Sequence, residues 1–208
     1  DRPTVVGMKS GVGQEYVKLT TALKLTGKVE VYLQDMIDSM NDTLRTITYK
    51  SFENFKKMER REWIENDPAQ ITLLVNNIES SSNIEESFLK ISNGSNVNAL
   101  KEYYKTSVVR LTDLIKMVQG DLTKNLRQKI MCLITLDTHS RDIIDRLDTE
   151  NVKKADAFQW QSQLKFYMSE KPELKKKDAQ IRICLLYTSD AADDMQCVDL
   201  GGRRIIKK

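Results

Sequence analysis

Histidine is almost missing: His139 stands alone among 208 residues. A multi-histidine metal site therefore cannot be built, and any Ser/His or Cys/His nucleophile would have to be centred on this one residue. A lone histidine within a helical pattern is expected to be structural or to face solvent. Cysteine is limited to Cys132, Cys184 and Cys197, with no CxxC pair. Cys132 lies in the apolar run Ile130-Met131-Cys132-Leu133-Ile134 and is expected to be a reduced core thiol. Three prolines and eight glycines are few for this length and suit a helix-rich protein better than a disordered or secreted one.

Long apolar runs are missing too. None approaches the roughly 20 residues that span a bilayer, and Asp1-Arg2-Pro3 lacks the charged-then-apolar pattern of a signal peptide. The expectation is a cytoplasmic location with no membrane partner. Nor does one sign of charge dominate: 33 basic and 30 acidic residues are interleaved and leave +3, which argues against a nucleic-acid partner. The phosphate-cradling pattern GxxxxGK[ST] does not occur. Gly11-Val12-Gly13 lacks the third glycine and following helix of a dinucleotide fingerprint and is read as turn geometry. Asp142, Asp145 and Asp148 recur at helical spacing among Arg141 and Arg146, the pattern of a solvated, ion-paired face. Asn41-Asp42-Thr43 and Asn93-Gly94-Ser95 match the glycosylation acceptor pattern by chance, and Lys175-Lys176-Lys177 reads as solvated surface. No catalytic, cofactor-binding or metal-binding residue is expected, so the chain is read as a non-enzyme.

What is present is helical periodicity. Residues 4–19 combine short β-prone runs with Gly7, Gly11 and Gly13 and predict a hairpin. After Gly27, Val29, Tyr32, Leu33, Met36, Ile37, Met40 and Leu44 fall on one helical stripe running toward Phe52 and Phe55. Asp67-Pro68 supplies an N-cap and first-turn proline for a helix with Ile71, Leu74, Val75 and Ile78. A serine-rich break after Glu79 is expected to separate it from a short stretch (Ile84, Phe88, Leu89, Ile91) that stops at Asn93-Gly94.

Ser95 or Asn96 can cap the next helix, with Leu100, Tyr103, Tyr104, Val108, Leu111, Ile115 and Val118 ahead of Gly120. Thr123 can cap another, with Leu126, Ile130, Leu133, Ile134, Ile144 and Leu147. The short loop between these two predicts an antiparallel pair. A final aromatic helix from Asp156 (Phe158, Trp160, Leu164, Phe166, Tyr167) is expected to be disrupted at Lys171-Pro172, and residues 178–183 alternate like the start of a strand. The fold class is mostly α, an elongated antiparallel helical bundle with a short N-terminal β-hairpin.

From Cys184 onward the sequence CLLYTSDAADDMQCVDLGGRRIIKK loses this periodicity. It resembles translated sequencing-adapter DNA, so residues 184–208 are expected to form a disordered, non-native tail behind a native segment 1–183.

Residues 121–148 (DLTKNLRQKIMCLITLDTHSRDIIDRLD) followed by residues 157–167 (AFQWQSQLKFY) resemble the axonemal dynein heavy chain just upstream of its first AAA module. Fainter likeness extends through WIENDPAQITLL, GKVEVYL and the hairpin. The residues that carry the motifs are Phe158, Trp160, Gln161, Leu164, His139, Arg141 and Asp142, read as structural marks. The resemblance implies the C-terminal part of the linker, which swings over an ATP-hydrolysing AAA ring to drive microtubule-based movement of cilia. It also implies that ring, other dynein subunits and microtubules as partners, and a place in the cytoskeleton of the cilium axoneme. No cofactor is implied within the segment. Where the family has a tryptophan pair, this chain has Asn76-Asn77-Ile78-Glu79-Ser80. The periodicity alone equally suits a free-standing helical scaffold or adaptor.

Overall fold

The computed structural model describes residues 3–11, 15–169, 180–184 and 197–199. In chain order these form β1 (Thr4–Lys9), β2 (Tyr16–Lys24), α1 (Val29–Phe55), α2 (Arg60–Asn66), α3 (Ala69–Ser92), α4 (Ala99–Val118), α5 (Lys124–Thr149), α6 (Phe158–Gln161), β3 (Lys165–Ser169), β4 (Gln180–Cys184) and β5 (Cys197–Asp199). The fold is mostly α, with the expected hairpin at the N-terminus. The chain divides into two compact units within α3, at Thr72 and Leu73.

In the first unit β1 pairs antiparallel with β2, Thr4 opposite Lys24 and Lys9 opposite Tyr16, with an irregularity between Val5 and Gly7. Gly7 lets the Tyr16 ring lie close over the strand and does not serve a turn: a Cβ there would meet the ring at 2.3–2.5 Å unless Tyr16, itself exposed, swung away. Gly11 has no left-handed backbone, and Gly13 lies outside the described residues. The positive φ falls instead at Gly27 (+90°), which turns the chain into α1.

The hairpin packs on the polar side of α1. Buried Thr43 accepts from the Thr20 amide at 3.1 Å and donates to the Ser39 carbonyl at 2.8 Å. The predicted apolar stripe points elsewhere, with Val29, Leu33 and Ile37 each about half exposed (54%, 47% and 53%). Further along α1, Ser51 is buried, donates to the Asp67 carboxylate and accepts from Trp63 Nε1 at 2.9 Å. Trp63 packs edge-on against Phe55, with centroids 4.9 Å apart. Asp67 is therefore engaged by α1. The first amide of α3, Ala69 N–H, is satisfied at 3.0 Å by Glu15 Oε1 from the hairpin, where an Asp67 cap was expected.

α3 is continuous, and the expected serine-rich break does not occur. Buried Ser81 and Ser87 lie inside the helix and donate to the Asn77 and Asn83 carbonyls at 3.0 and 2.8 Å, so the hydroxyls are satisfied without unwinding it. α3 ends at Gly94 (φ +67°), where Ser95 N–H reaches Lys90 O and Gly94 N–H reaches Ile91 O, a Schellman closure. Asn151 (φ +52°) ends α5 in the same way, through Val152 N–H to Leu147 O.

α4 and α5, about 30 and 39 Å long at 1.5 Å per residue, form the expected antiparallel pair. Leu100 at the start of α4 packs with Ile144 and Leu147 at the end of α5. Thr123 caps α5 through Leu126 N–H at 3.4 Å, and Arg127 reaches back to the Val118 and Gly120 carbonyls at 2.6 and 3.1 Å, closing the end of α4. α4 has no side-chain cap from Ser95 or Asn96; Asn96 instead accepts from Asn98 N–H at 2.9 Å. The buried seam of α4 runs through Leu100, Ser107, Leu111 and Leu114, while Val108 and Ile115, expected on that stripe, are exposed. Cys132 is likewise exposed, because the seam of α5 uses Ile130 and Leu133 on either side of it.

The expected aromatic helix is reduced to the single turn α6. Phe166 and Tyr167 belong to β3, which pairs antiparallel with β4 (Phe166 opposite Ile183). β4 meets the expected strand at residues 178–183, of which 178–179 lie outside the described residues, as does Lys171-Pro172. β5 pairs with β4 and falls inside the tail expected to form no element. Among the described residues no helix is long and apolar enough to cross a membrane.

Candidate functional site

The motif residues converge only in part. Trp160 is buried in the core of the second unit among Ile84, Phe88, Leu100, Ile144, Leu147 and Val152. Its ring lies 6.1 Å from Phe88, tilted by 56°. Beside it, α3, α5 and β3 enclose a cleft of about 160 Å³. Ile84, Ile143, Trp160, Leu164 and Phe166 give the cleft its apolar surface, and Asn77, Ser80, Ser81, His139 and Ser140 supply polar atoms. Three motif residues, His139, Trp160 and Leu164, thus line one feature. Arg141 and Asp142 pair with each other instead, at 2.6 and 3.0 Å, with Asp142 well exposed. That pairing raises the Arg141 guanidinium further above its usual range. Phe158 is exposed, and Gln161 donates to the Ala155 carbonyl at 2.7 Å.

Polar side chains tie the elements around this cleft together. Glu85 Oε1 accepts from Trp160 Nε1 at 3.4 Å and from the Tyr167 phenol. Ser81 Oγ accepts from the Phe166 amide at 3.2 Å. Lys165 is buried, its ammonium 5.5 Å from the Trp160 ring centroid and donating to Gln161 Oε1 at 2.7 Å. Asn76, in the stretch where the resembled family has tryptophans, is buried and donates to Asp137 Oδ1 at 2.7 Å. Burial pushes the Tyr103 phenol up, against the lowering effects of Arg110 and a hydrogen bond with Ser80.

Sequence reasoning singled out neither Glu85 nor Ser81. The signal was present: the spacing Ile71, Val75, Ile78, Ser81, Ile84, Phe88, Ile91 keeps its three- and four-residue steps straight through the serine run. In the first unit a second groove, of about 340 Å³, lies between β2 and α1 and presents Asp35, Asp38 and Asp42. Among the described residues no three of His, Cys, Asp and Glu come together as a metal site. What the second unit's arrangement offers chemically is packing and hydrogen-bonded attachment.

The sequence of the chain has relatives among dynein chains. The chain is 38% identical over 183 residues to the dynein alpha chain of the flagellar outer arm from Chlamydomonas reinhardtii, which covers 88% of this chain. It is 34% identical over 165 residues to a ciliary dynein beta chain of Heliocidaris crassispina (79% of this chain). It is 33% identical over 162 residues to human dynein axonemal heavy chain 9 (78% of this chain). In each case the match spans about 4% of the relative's length. No protein-family model matches the chain. The chain belongs to the axonemal dynein heavy chains, as a segment of one, and its place is the cytoskeleton of the cilium axoneme.

Proposed function

We propose that this segment is the ring-proximal part of a dynein heavy chain's mechanical linker. It transmits conformational change, generated by ATP hydrolysis in an AAA ring elsewhere in the parent chain, into microtubule-based movement of cilia. The observation that carries the reading is the construction of the second unit. Two long helices are closed at their ends by Arg127, Thr123 and Asn151, and the start of α4 and the end of α5 share one buried core with Ile84 and Phe88 of α3 and with Trp160. Close-packed helices of this kind transmit displacement instead of absorbing it, because bending them would pull apart contacts all along the seam. The segment itself would bind no cofactor. Its partners would be the parent's AAA ring and, through the whole complex, other dynein subunits and microtubules, with neither nucleic acid nor membrane involved.

The test is made in a full-length heavy chain carrying this segment, with Leu133→Gly and Ile144→Gly introduced to soften α5. ATP hydrolysis should persist while microtubule gliding slows strongly. Unchanged gliding on a motor whose α5 is measurably softened would remove the lever reading. Genomic sequence beyond the Ile183 codon gives an independent check: the reading requires a nucleotide-binding module there.

A further inference from the structure

We infer that β3 is a strap latched to the helical core of the second unit through the carboxylate of Glu85, and that releasing the latch uncovers the cleft beside His139 while leaving the core intact. The inference does not depend on the lever reading. One oxygen of Glu85 serves two donors, the Trp160 indole N–H at 3.4 Å and the Tyr167 hydroxyl. One turn earlier on α3, Ser81 Oγ takes the Phe166 amide at 3.2 Å. Two neighbouring positions of a single helix thus hold the backbone and a side chain of β3 together with the ring beneath it.

The attachment is mainly polar. The sealed core of α3, α4 and α5 includes Trp160 but no β3 residue; Phe166 is only half buried, and Leu164, where the strap begins, is exposed. A segment with few buried apolar anchors opens at lower free energy than the core it lies on. Hydrogen bonds to an ionised acceptor are about twice as strong as neutral ones, so Glu85 sets how tightly β3 is held. Phe166 and Leu164 form one wall of the cleft, and Ile84 and Ile143 belong to the helices. Departure of β3, carrying its partner β4, takes that wall away.

The test is hydrogen–deuterium exchange on the full 208-residue chain. In Glu85→Ala, amides of residues 165–169 should exchange faster by on the order of ten- to a hundredfold. Those of α4 and α5 should stay near wild type. Glu85→Gln keeps the shape of the side chain and a neutral carbonyl acceptor at the same place and should restore only part of the protection, whereas a purely steric role for the side chain would restore all of it. Three results would overturn the proposal: unchanged exchange in β3, acceleration spread evenly over α4 and α5, or Glu85→Gln behaving like wild type. If Glu85→Ala does not yield a folded chain, Tyr167→Phe decides. Faster exchange confined to β3 supports the latch, and wild-type exchange refutes it.

Discussion

In the first unit α1 turns its aspartate-, serine- and threonine-bearing face toward the hairpin, whereas in the second unit α3, α4 and α5 turn isoleucine, leucine and phenylalanine toward one another. Both arrangements start from amphipathic helices with clear periodicity. The difference is what each helix finds to pack on. β2 offers α1 the amide and hydroxyl of Thr20, which hydrogen-bond to Thr43, while Val29, Leu33 and Ile37 on the apolar stripe of α1 stay about half exposed. α4 and α5 are neighbours in sequence, and a five-residue connection places their seams face to face. Periodicity therefore fixes that a helix forms and which residues share a face, while the available partner decides which face is covered.

The contrast is tested most severely in the second unit. Trp160→Ala removes a buried indole from the core it shares with Phe88, Ile144 and Leu147. It should destabilise that unit by about 3–5 kcal/mol, read as a lowered urea midpoint of the helical circular-dichroism signal. A loss below about 1 kcal/mol would mean that the indole does not seal the core. Asn76→Ala comes next: it leaves the buried Asp137 carboxylate without its 2.7 Å amide donor, at a cost of about 1–3 kcal/mol. If Asn76→Ala is silent in the same melt, the polar pair adds nothing to the seam.

For the first unit the sensitive substitution is polar. Thr43→Val keeps the shape of the side chain but removes the acceptor of the Thr20 amide. It should cost about 1 kcal/mol and speed exchange of that amide. If the hairpin were instead held by apolar contact, this substitution would be neutral and the contrast between the units would be lost.

Much of the fold was legible because local chemistry agreed with it: Thr123 before an apolar run, Asn93-Gly94 after one, and a short loop between two long stripes. What was missed shares a physical cause. The serine run at residues 80–82 has the composition of a break, but in α3 Ser81 bonds back to a carbonyl four residues earlier and forward to β3, so tertiary packing overrides propensity. Lys165-Phe166-Tyr167 continued an aromatic pattern, yet pairing with β4 drew them into a strand. Of the candidate site, Trp160 and His139 were legible as motif residues. Glu85 was not, because a glutamate among Glu79, Glu85 and Glu86 carries no local sign that it will meet an indole and a phenol more than 70 residues away.

The smallest expected effect lies on the exposed stripe of α1. Leu33→Ser and Ile37→Ser place hydroxyls where side chains are already about half exposed (47% and 53%), so each should change stability by no more than about 0.5 kcal/mol. Together they should reduce binding of a hydrophobic dye, since they break a run of apolar surface along one helix face. The same two substitutions inside the α4–α5 seam would be severe, and that is why they discriminate: identical chemistry has opposite outcomes depending on whether a neighbour covers the stripe. A loss of about 2 kcal/mol for either one would mean that the stripe is covered in solution. The two units would then use amphipathic helices in the same way.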